Sequence, residues 1–234
     1  MIPQGLRKYI NIPLRCFFLP STKGPFPFVP FAQHLLCAKL WFRYLRNDQY
    51  FGTNIFYQSL EKLSLPGLRP SEERISVYKL ENFVGSNVRV LDIGCNLGFI
   101  DLQLADKVKW IDGFDIDENL ITIGNMVKDY MEICNVNLTV ADFRSYEAES
   151  NYDLIFCYAV HKWVGMSIED FVSRVSGLLN AGGVVIFESN NYAMIAEEFE
   201  RDIKCFENNN YHIIDSGYTS YETERKFVCL KYEG

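Results

Sequence analysis

The stretch VRVLDIGCNLGFI, residues 88–100, decides the fold. Val88–Ile93 is a short apolar run ending in an acid, Asp92. Gly94, Asn96 and Gly98 follow, and a helix over about 98–106 begins there. Glycines at such a turn give positive φ and let a ligand approach the backbone closely. Asn96, standing where another glycine is common, tolerates the left-handed region better than most residues. A glycine-rich turn between a strand and a helix is a stronger signal than the glycines alone.

Downstream of this unit the pattern repeats. Val108–Phe114, Asn137–Val140, Asp153–Cys157 and Val184–Phe187 read as strands. Helical periods fill Glu118–Cys134, a stretch from Ser167 to near Leu179 closed by Gly182-Gly183, and Tyr192–Phe206. Tyr211–Asp215 and Phe227–Lys231 read as a closing antiparallel pair. Strands separated by helix-length segments make a parallel sheet with right-handed crossovers. Ligands in such sheets sit beyond the carboxyl ends of the strands, at the switch in strand order. Upstream, residues 1–33 are Pro- and Phe-rich and read as an irregular arm. Residues 34–63 read as helical, interrupted at Gly52, and Ser71 reads as the N-cap of a helix over about 72–83.

The second strand leads into GFDIDENLI, residues 113–121. Asp115 follows Asp92 by 23 positions, near the ~20-residue spacing at which a carboxylate accepts hydrogen bonds from ribose hydroxyls. Ile116 lies beside it, and Asp117 is the alternative, or the start of the next helix. The third strand leads into VADFRSY, residues 140–146, where Asp142 is a candidate acceptor for an adenine amino group and Phe143 a candidate for the ring face. A plain turn cap is the structural alternative for Asp142.

These three loops resemble the class I S-adenosylmethionine-dependent methyltransferases, over roughly residues 70–234. The resemblance implies an α/β fold: a Rossmann-like, doubly wound, mostly parallel seven-stranded sheet with an antiparallel C-terminal pair. Residues 1–69 would form a helical and irregular N-terminal extension, and residues 70–234 the cofactor domain. The resemblance implies S-adenosylmethionine as cofactor. Asp92, Gly94 and Gly98 would surround its methionine part, with Cys95 and Asn96 in the same loop. Asp115, with Ile116, would hold the ribose, and Asp142 and Phe143 the adenine. A dinucleotide dehydrogenase usually carries a glycine three positions beyond Gly98. Asp101 stands there instead, and an acid opposes a pyrophosphate at a helix N-terminus.

The fourth strand leads into FCYAVHKWVG, residues 156–165. His161 is a candidate general base, since histidine ordinarily titrates near neutrality. Lys162 is a candidate for holding an anionic acceptor, Trp163 for walling the site, and Tyr158 for either cofactor or acceptor contact. Glu188, at the next strand end, is a further acceptor-side candidate. Methyl transfer needs in-line approach and a deprotonated acceptor, so a base is not obligatory.

Two shorter resemblances bear on the acceptor. GCNxG in the first loop with Lys162-Trp163 resembles the methyltransferases that cap RNA 5′-phosphates, although ESNNY, residues 188–192, departs from that family. FYQSLEKLSLPGLRPSEER, residues 56–74, resembles the lead-in of bacterial tRNA wobble-uridine-type methyltransferases. It implies that Tyr57, Gln58 and Arg69 lie near cofactor or acceptor. Arg69 and Arg74 are each candidates for clamping a carboxylate or phosphate.

Composition narrows the partners. The net charge is −7, yet residues 1–50 hold seven basic side chains and one acid. An acidic body therefore carries a basic, aromatic arm, a candidate face for phosphates, anionic lipid or an acidic substrate. With pI ≈ 5.1, a small-molecule or glycan-linked acceptor methylated on oxygen leads. RNA methylation is the alternative, and a non-catalytic subunit the third reading. Tyr44, Tyr50, Phe51 and Tyr57 are candidates for a lid. The seven cysteines include no CxxC pair and no metal-site spacing. No run approaches the ~18 apolar residues of a membrane span, and the arm lacks a clean signal-peptide core. These features lead us to expect a cytoplasmic protein without a metal. Oligomeric state is open.

Overall fold

The computed structural model describes residues 31–44, 56–219 and 224–234. Most of the arm expected to be irregular lies outside them, as do Gly52, Tyr50 and Phe51.

The elements in chain order are helix α1 (Phe31–Tyr44), strands β1 (Phe56–Gln58) and β2 (Gly67–Arg69), helix α2 (Ser71–Val77), β3 (Arg89–Ile93), α3 (Phe99–Leu104), β4 (Trp110–Asp115), α4 (Glu118–Tyr130), β5 (Val136–Val140), β6 (Tyr152–Tyr158), α5 (Ile168–Leu178), β7 (Leu179–Glu188), α6 (Tyr192–Glu207), β8 (Tyr211–Thr219) and β9 (Arg225–Tyr232). The main sheet has seven strands in the order β5-β4-β3-β6-β7-β9-β8. β3 through β7 pair in parallel, and β9 is antiparallel to both β7 and β8.

The order explains the position of the site. The chain steps outward from β3 to β4 and β5, then returns to lay β6 on the other side of β3. The switch point therefore lies between β3 and β6, with the loop after β3 at its mouth. Alternation along each strand feeds two cores. Val90 points into the layer built with α1, α3 and α4, while Leu91 points into the layer built with α5 and α6. Both faces are covered, so the parallel strands read as apolar runs.

Three local expectations are corrected. The helical reading of residues 34–63 holds only to Tyr44 among the described residues, because Phe56–Gln58 is extended. β1 pairs in parallel with β2, Phe56 opposite Gly67 and Gln58 opposite Arg69. The close crossing requires a glycine: a Cβ on Gly67 would stand 2.1 Å from the Gln58 carbonyl carbon. Ser71 is not the N-cap of α2; Pro70 is, and the Ser71 hydroxyl donates to the Ser59 carbonyl at 2.6 Å. Gly182-Gly183, expected between the helix ending near Leu179 and a strand beginning at Val184, lies inside β7, whose early entry is absorbed by a register shift between Tyr152 and Leu154.

Candidate functional site

The loop after β3 holds three successive positive-φ residues at alternate positions: Gly94 at 72°, Asn96 at 57° and Gly98 at 65°. Gly98 is the N-cap of α3. The backbone is pinned from two sides. The Cys95 N–H donates to the Phe114 carbonyl at 2.9 Å. Gln58 reaches in from β1, its amide nitrogen donating to the Cys95 carbonyl at 3.2 Å and its amide oxygen accepting from the Phe99 N–H at 3.1 Å.

Asp115 ends β4 and faces this loop. One carboxylate oxygen accepts from the Asn96 N–H at 3.0 Å and the other from the Asp117 N–H at 3.0 Å. Burial raises the Asp115 pKa, and these backbone donors oppose the rise. The candidate ribose carboxylate and the glycine loop thus meet at one mouth. Ile116, the next residue, is exposed. Asp117 caps α4, accepting from Asn119 and Leu120.

Asp92 lies beneath the mouth, 1% exposed. Beside it is Asp101, on the first turn of α3 and 0% exposed. Asp101 does not project toward a ligand at the helix N-terminus, as the sequence suggested. It is turned into the sheet, so close to β4 that a Cβ on Gly113 would meet its carboxylate at 2.5 Å. Burial raises both carboxyl pKa values, that of Asp92 to about 7.

The chemistry of the unsatisfied atoms indicates what fits here. Both oxygens of Asp92 and Asp101, the Asn96 side-chain oxygen, the Tyr158 hydroxyl and one Glu188 oxygen are buried with no hydrogen-bond partner among the described residues. They come from the ends of β3, β6 and β7, from the loop entering α3 and from the first turn of α3. Buried polar atoms are ordinarily satisfied, and an acceptor-rich set suits a ligand bearing cationic and hydroxyl groups. The residues present therefore fit S-adenosylmethionine, with its ammonium, sulfonium and ribose hydroxyls.

On the β6–β7 side stands a charged cluster. The Tyr158 ring stacks on Tyr78 at 4.9 Å, and the Arg74 guanidinium lies 4.6 Å from its centroid. Arg74 is 3.5 Å from one Glu188 oxygen, and Arg225 is 2.7 Å from the other. Arg225 also donates to the Tyr57 hydroxyl at 3.3 Å. Burial alone would raise the Tyr57 pKa, but Arg225 and Arg74 outweigh it, and it falls below its ordinary value. Arg69 ends β2 opposite Gln58.

Several sequence candidates are not brought to the mouth. Asp142 caps the turn Phe143–Ser145 and pairs with Arg144, whose guanidinium holds its carboxyl well below the usual range. Phe143 is 3% exposed and packs on Phe171 in the core. His161 bonds Asp202 at 3.2 Å and packs on Phe187 at 4.5 Å, in the core layer under α6. Lys162 pairs with Glu198 and Asp202 of α6. Trp163 is 77% exposed, so it is not core. Tyr44 is buried, with Phe56 at 5.0 Å. We expect His161→Ala to lower stability by about 1–3 kcal/mol through the lost hydrogen bond to Asp202 and the lost packing on Phe187, with cofactor affinity within about twofold of wild type. Thermal melting and calorimetric titration check this. A hundredfold loss of turnover at unchanged melting temperature and affinity would return His161 to the chemistry.

Sequence reading missed the Asp92–Asp101 pairing and the Arg225–Glu188–Tyr57 cluster. Their partners are far apart in the chain and carry no motif. Among the described residues no group of histidines, cysteines and acids has metal-site geometry, and no helix is long and apolar enough to cross a membrane.

Comparisons with known proteins agree with this fold. Residues 90–183 match the family model described as a methyltransferase domain. A U6 snRNA methylphosphate capping enzyme of Drosophila melanogaster is 25% identical over 172 residues, covering 64% of this chain and 54% of that protein. A malonyl-[acyl-carrier protein] O-methyltransferase of Ilyobacter polytropus is 29% identical over 103 residues, 43% of this chain and 38% of that protein. The chain thus spans about half or less of the length of these curated relatives. Among solved structures, the N-methyltransferase NodS of Bradyrhizobium japonicum, in complex with S-adenosyl-L-homocysteine, superposes with a TM-score of 0.60 at 15% identity, covering 84% of this chain and 98% of that one. Residues 90–183 thus match a methyltransferase domain, and the sheet that holds them has the fold of the S-adenosylmethionine-dependent methyltransferases.

Proposed function

We propose that this protein transfers the methyl group of S-adenosylmethionine to an oxygen of a small-molecule or glycan-linked acceptor. The observation that carries it is the Asp115 carboxylate held against the glycine loop through the Asn96 N–H, at the switch point of the sheet. When bound, the cofactor supplies an electrophilic methyl on a sulfonium. The chain's own residues then bind and orient. Asp115 grips the ribose diol, and the loop from Asp92 to Gly98 runs along the methionine part. Tyr158, stacked under Arg74, floors the acceptor side.

The acceptor assignment draws on three features. The acidic body disfavours a polyanion. Ile116, Val140 and Trp163, on the carboxyl-edge loops or strand ends of β4, β5 and β6, and Met194, in the first turn of the helix after β7, are exposed large apolar side chains, and exposed apolar groups gathered on one edge suit an organic ligand. Buried arginines at Glu188 suit an acceptor with an acidic or hydroxyl oxygen. The likeness to a malonyl carrier-protein O-methyltransferase points the same way. His161 faces Asp202 rather than this edge, so the acceptor is either already ionised or deprotonated by another group. In our reading, residues 1–69 serve as the acceptor-side extension and residues 70–234 as the cofactor domain.

A second reading, RNA methylation, is favoured by the likeness to the capping enzyme and by the basic residues of the first fifty positions. Incubating acceptor pools with methyl-labelled cofactor and reading products by mass spectrometry tests both. Label appearing on oxygen in small-molecule or glycan fractions supports the first. Label appearing only in RNA, with binding that falls steeply as salt rises, supports the second.

A further inference from the structure

Asp101 is a charged residue where a helix packing against a sheet needs none. Asp92 and Asp101 occupy one buried space, 1% and 0% exposed: Gly113 pairs with Asp92 across the sheet, and a Cβ on it would stand 2.5 Å from an Asp101 carboxylate oxygen. Two carboxylates are acceptors only, so they can bond each other only through a shared proton. No hydrogen-bond donor reaches any of their four oxygens among the described residues. Like charges placed together in low dielectric do not both ionise. The surroundings do not supply a full counter-charge: Arg74 of α2 acts on Asp92 from one side, while Asp115 and Asp112 of β4 add negative charge. Cys95, Cys157 and Tyr158, which also face the pair, are held neutral by burial.

We propose that Asp92 and Asp101 share one proton while the cofactor site is empty and release it as the cationic methyl donor binds, so that the pair discriminates the sulfonium of the donor from the neutral thioether of the spent product. The inference rests on the cofactor reading above. A positive charge within about 4–6 Å of a carboxyl lowers its pKa by about 1–3. The proton passes from the carboxyl pair to solvent, leaving two carboxylates facing one added positive charge. The thioether carries no such charge and leaves the proton in place. Both ligands carry the same α-ammonium and carboxylate, so those groups cancel in the comparison.

The sign follows from linkage. The pair without its proton binds the cation more tightly, so donor affinity rises with pH, by up to about tenfold per pH unit, until the empty pair is itself ionised. Affinity for the product stays nearly flat over the same interval.

The test is calorimetric titration of the full chain with S-adenosylmethionine and with S-adenosylhomocysteine at pH 6, in buffers of different ionisation enthalpy. The slope of observed heat against that enthalpy counts protons released. Donor binding is expected to release a substantial fraction of one proton more than product binding. In Asp101→Asn, where an amide hydrogen-bonds the remaining carboxylate, the excess is expected to vanish. Equal release for the two ligands by the wild type overturns the proposal, and that comparison needs no variant to fold. Binding of neither ligand overturns the cofactor reading itself, which is a separate and recognisable result.

Discussion

Asp115→Ala is expected to weaken binding of S-adenosylhomocysteine by about 100-fold or more, with little change in melting temperature. A carboxylate gripping two vicinal hydroxyls makes two charge-assisted hydrogen bonds, each contributing about 1.5–3 kcal/mol. Their sum exceeds the roughly 2.7 kcal/mol that separates affinities a hundredfold apart. The same side chain also holds the Asn96 and Asp117 N–H groups. Both donors lie near solvent at the loop edge, and water can replace the lost acceptor, so folding suffers much less than binding. Asp115→Asn keeps the shape and one acceptor oxygen, and should fall between the two. Isothermal titration beside a thermal melt separates the two effects. Unchanged affinity in the alanine variant would remove the ribose role.

The second large effect concerns stability. Glu188 is fully buried and stands between the guanidiniums of Arg74 and Arg225, themselves nearly buried. Glu188→Ala removes the carboxylate that faces both and leaves two positive charges in a desolvated space. Losing one partner of a buried ion pair costs about 3–5 kcal/mol, far more than losing a surface pair. At about 2–4 °C per kcal/mol for a chain of this size, the melting temperature should fall by roughly 6–20 °C. Glu188→Gln retains an acceptor oxygen and the volume, and should lose less. A melt within about 1 °C of wild type for the alanine variant would mean that the cluster relaxes at little cost, against its present description.

The two results bear on different links in the account. Asp115 was legible in the sequence because its signal is local: an apolar strand, an acid at its end, and a spacing from the preceding acid set by one βαβ unit. The glycine loop was legible for the same reason, since Gly94, Asn96 and Gly98 each occupy a backbone conformation that side-chain sterics restrict. The seven strands were found in order, most of them shorter than they are, because strand ends lose apolar alternation where they approach the site.

What the sequence concealed is set by direction and by distance. His161 stands next to a strand end, as a catalytic base would, but the turn His161–Trp163 aims its ring at Asp202 of α6. Nothing in residues 156–165 encodes that. Asp142 had two uses that differ only in side-chain rotation, and Arg144, two positions on, claims its carboxylate. β1 and β2 have three residues each, too few to show a period of two. The Arg225–Tyr57 contact joins the last strand to the first, so chain-local reasoning cannot reach it. Asp101 read as an acid facing a ligand at a helix N-terminus; only the sheet packed beneath it makes it a buried acid.

The most direct measurement is a crystal structure of the full chain with S-adenosylhomocysteine. The account predicts density at the carboxyl edge between β3 and β6, ribose hydroxyls within hydrogen-bond distance of Asp115, and the amino-acid tail along residues 92–98. A ligand bound elsewhere, or a mouth closed by protein side chains with Asp115 turned away from the ribose, would contradict it.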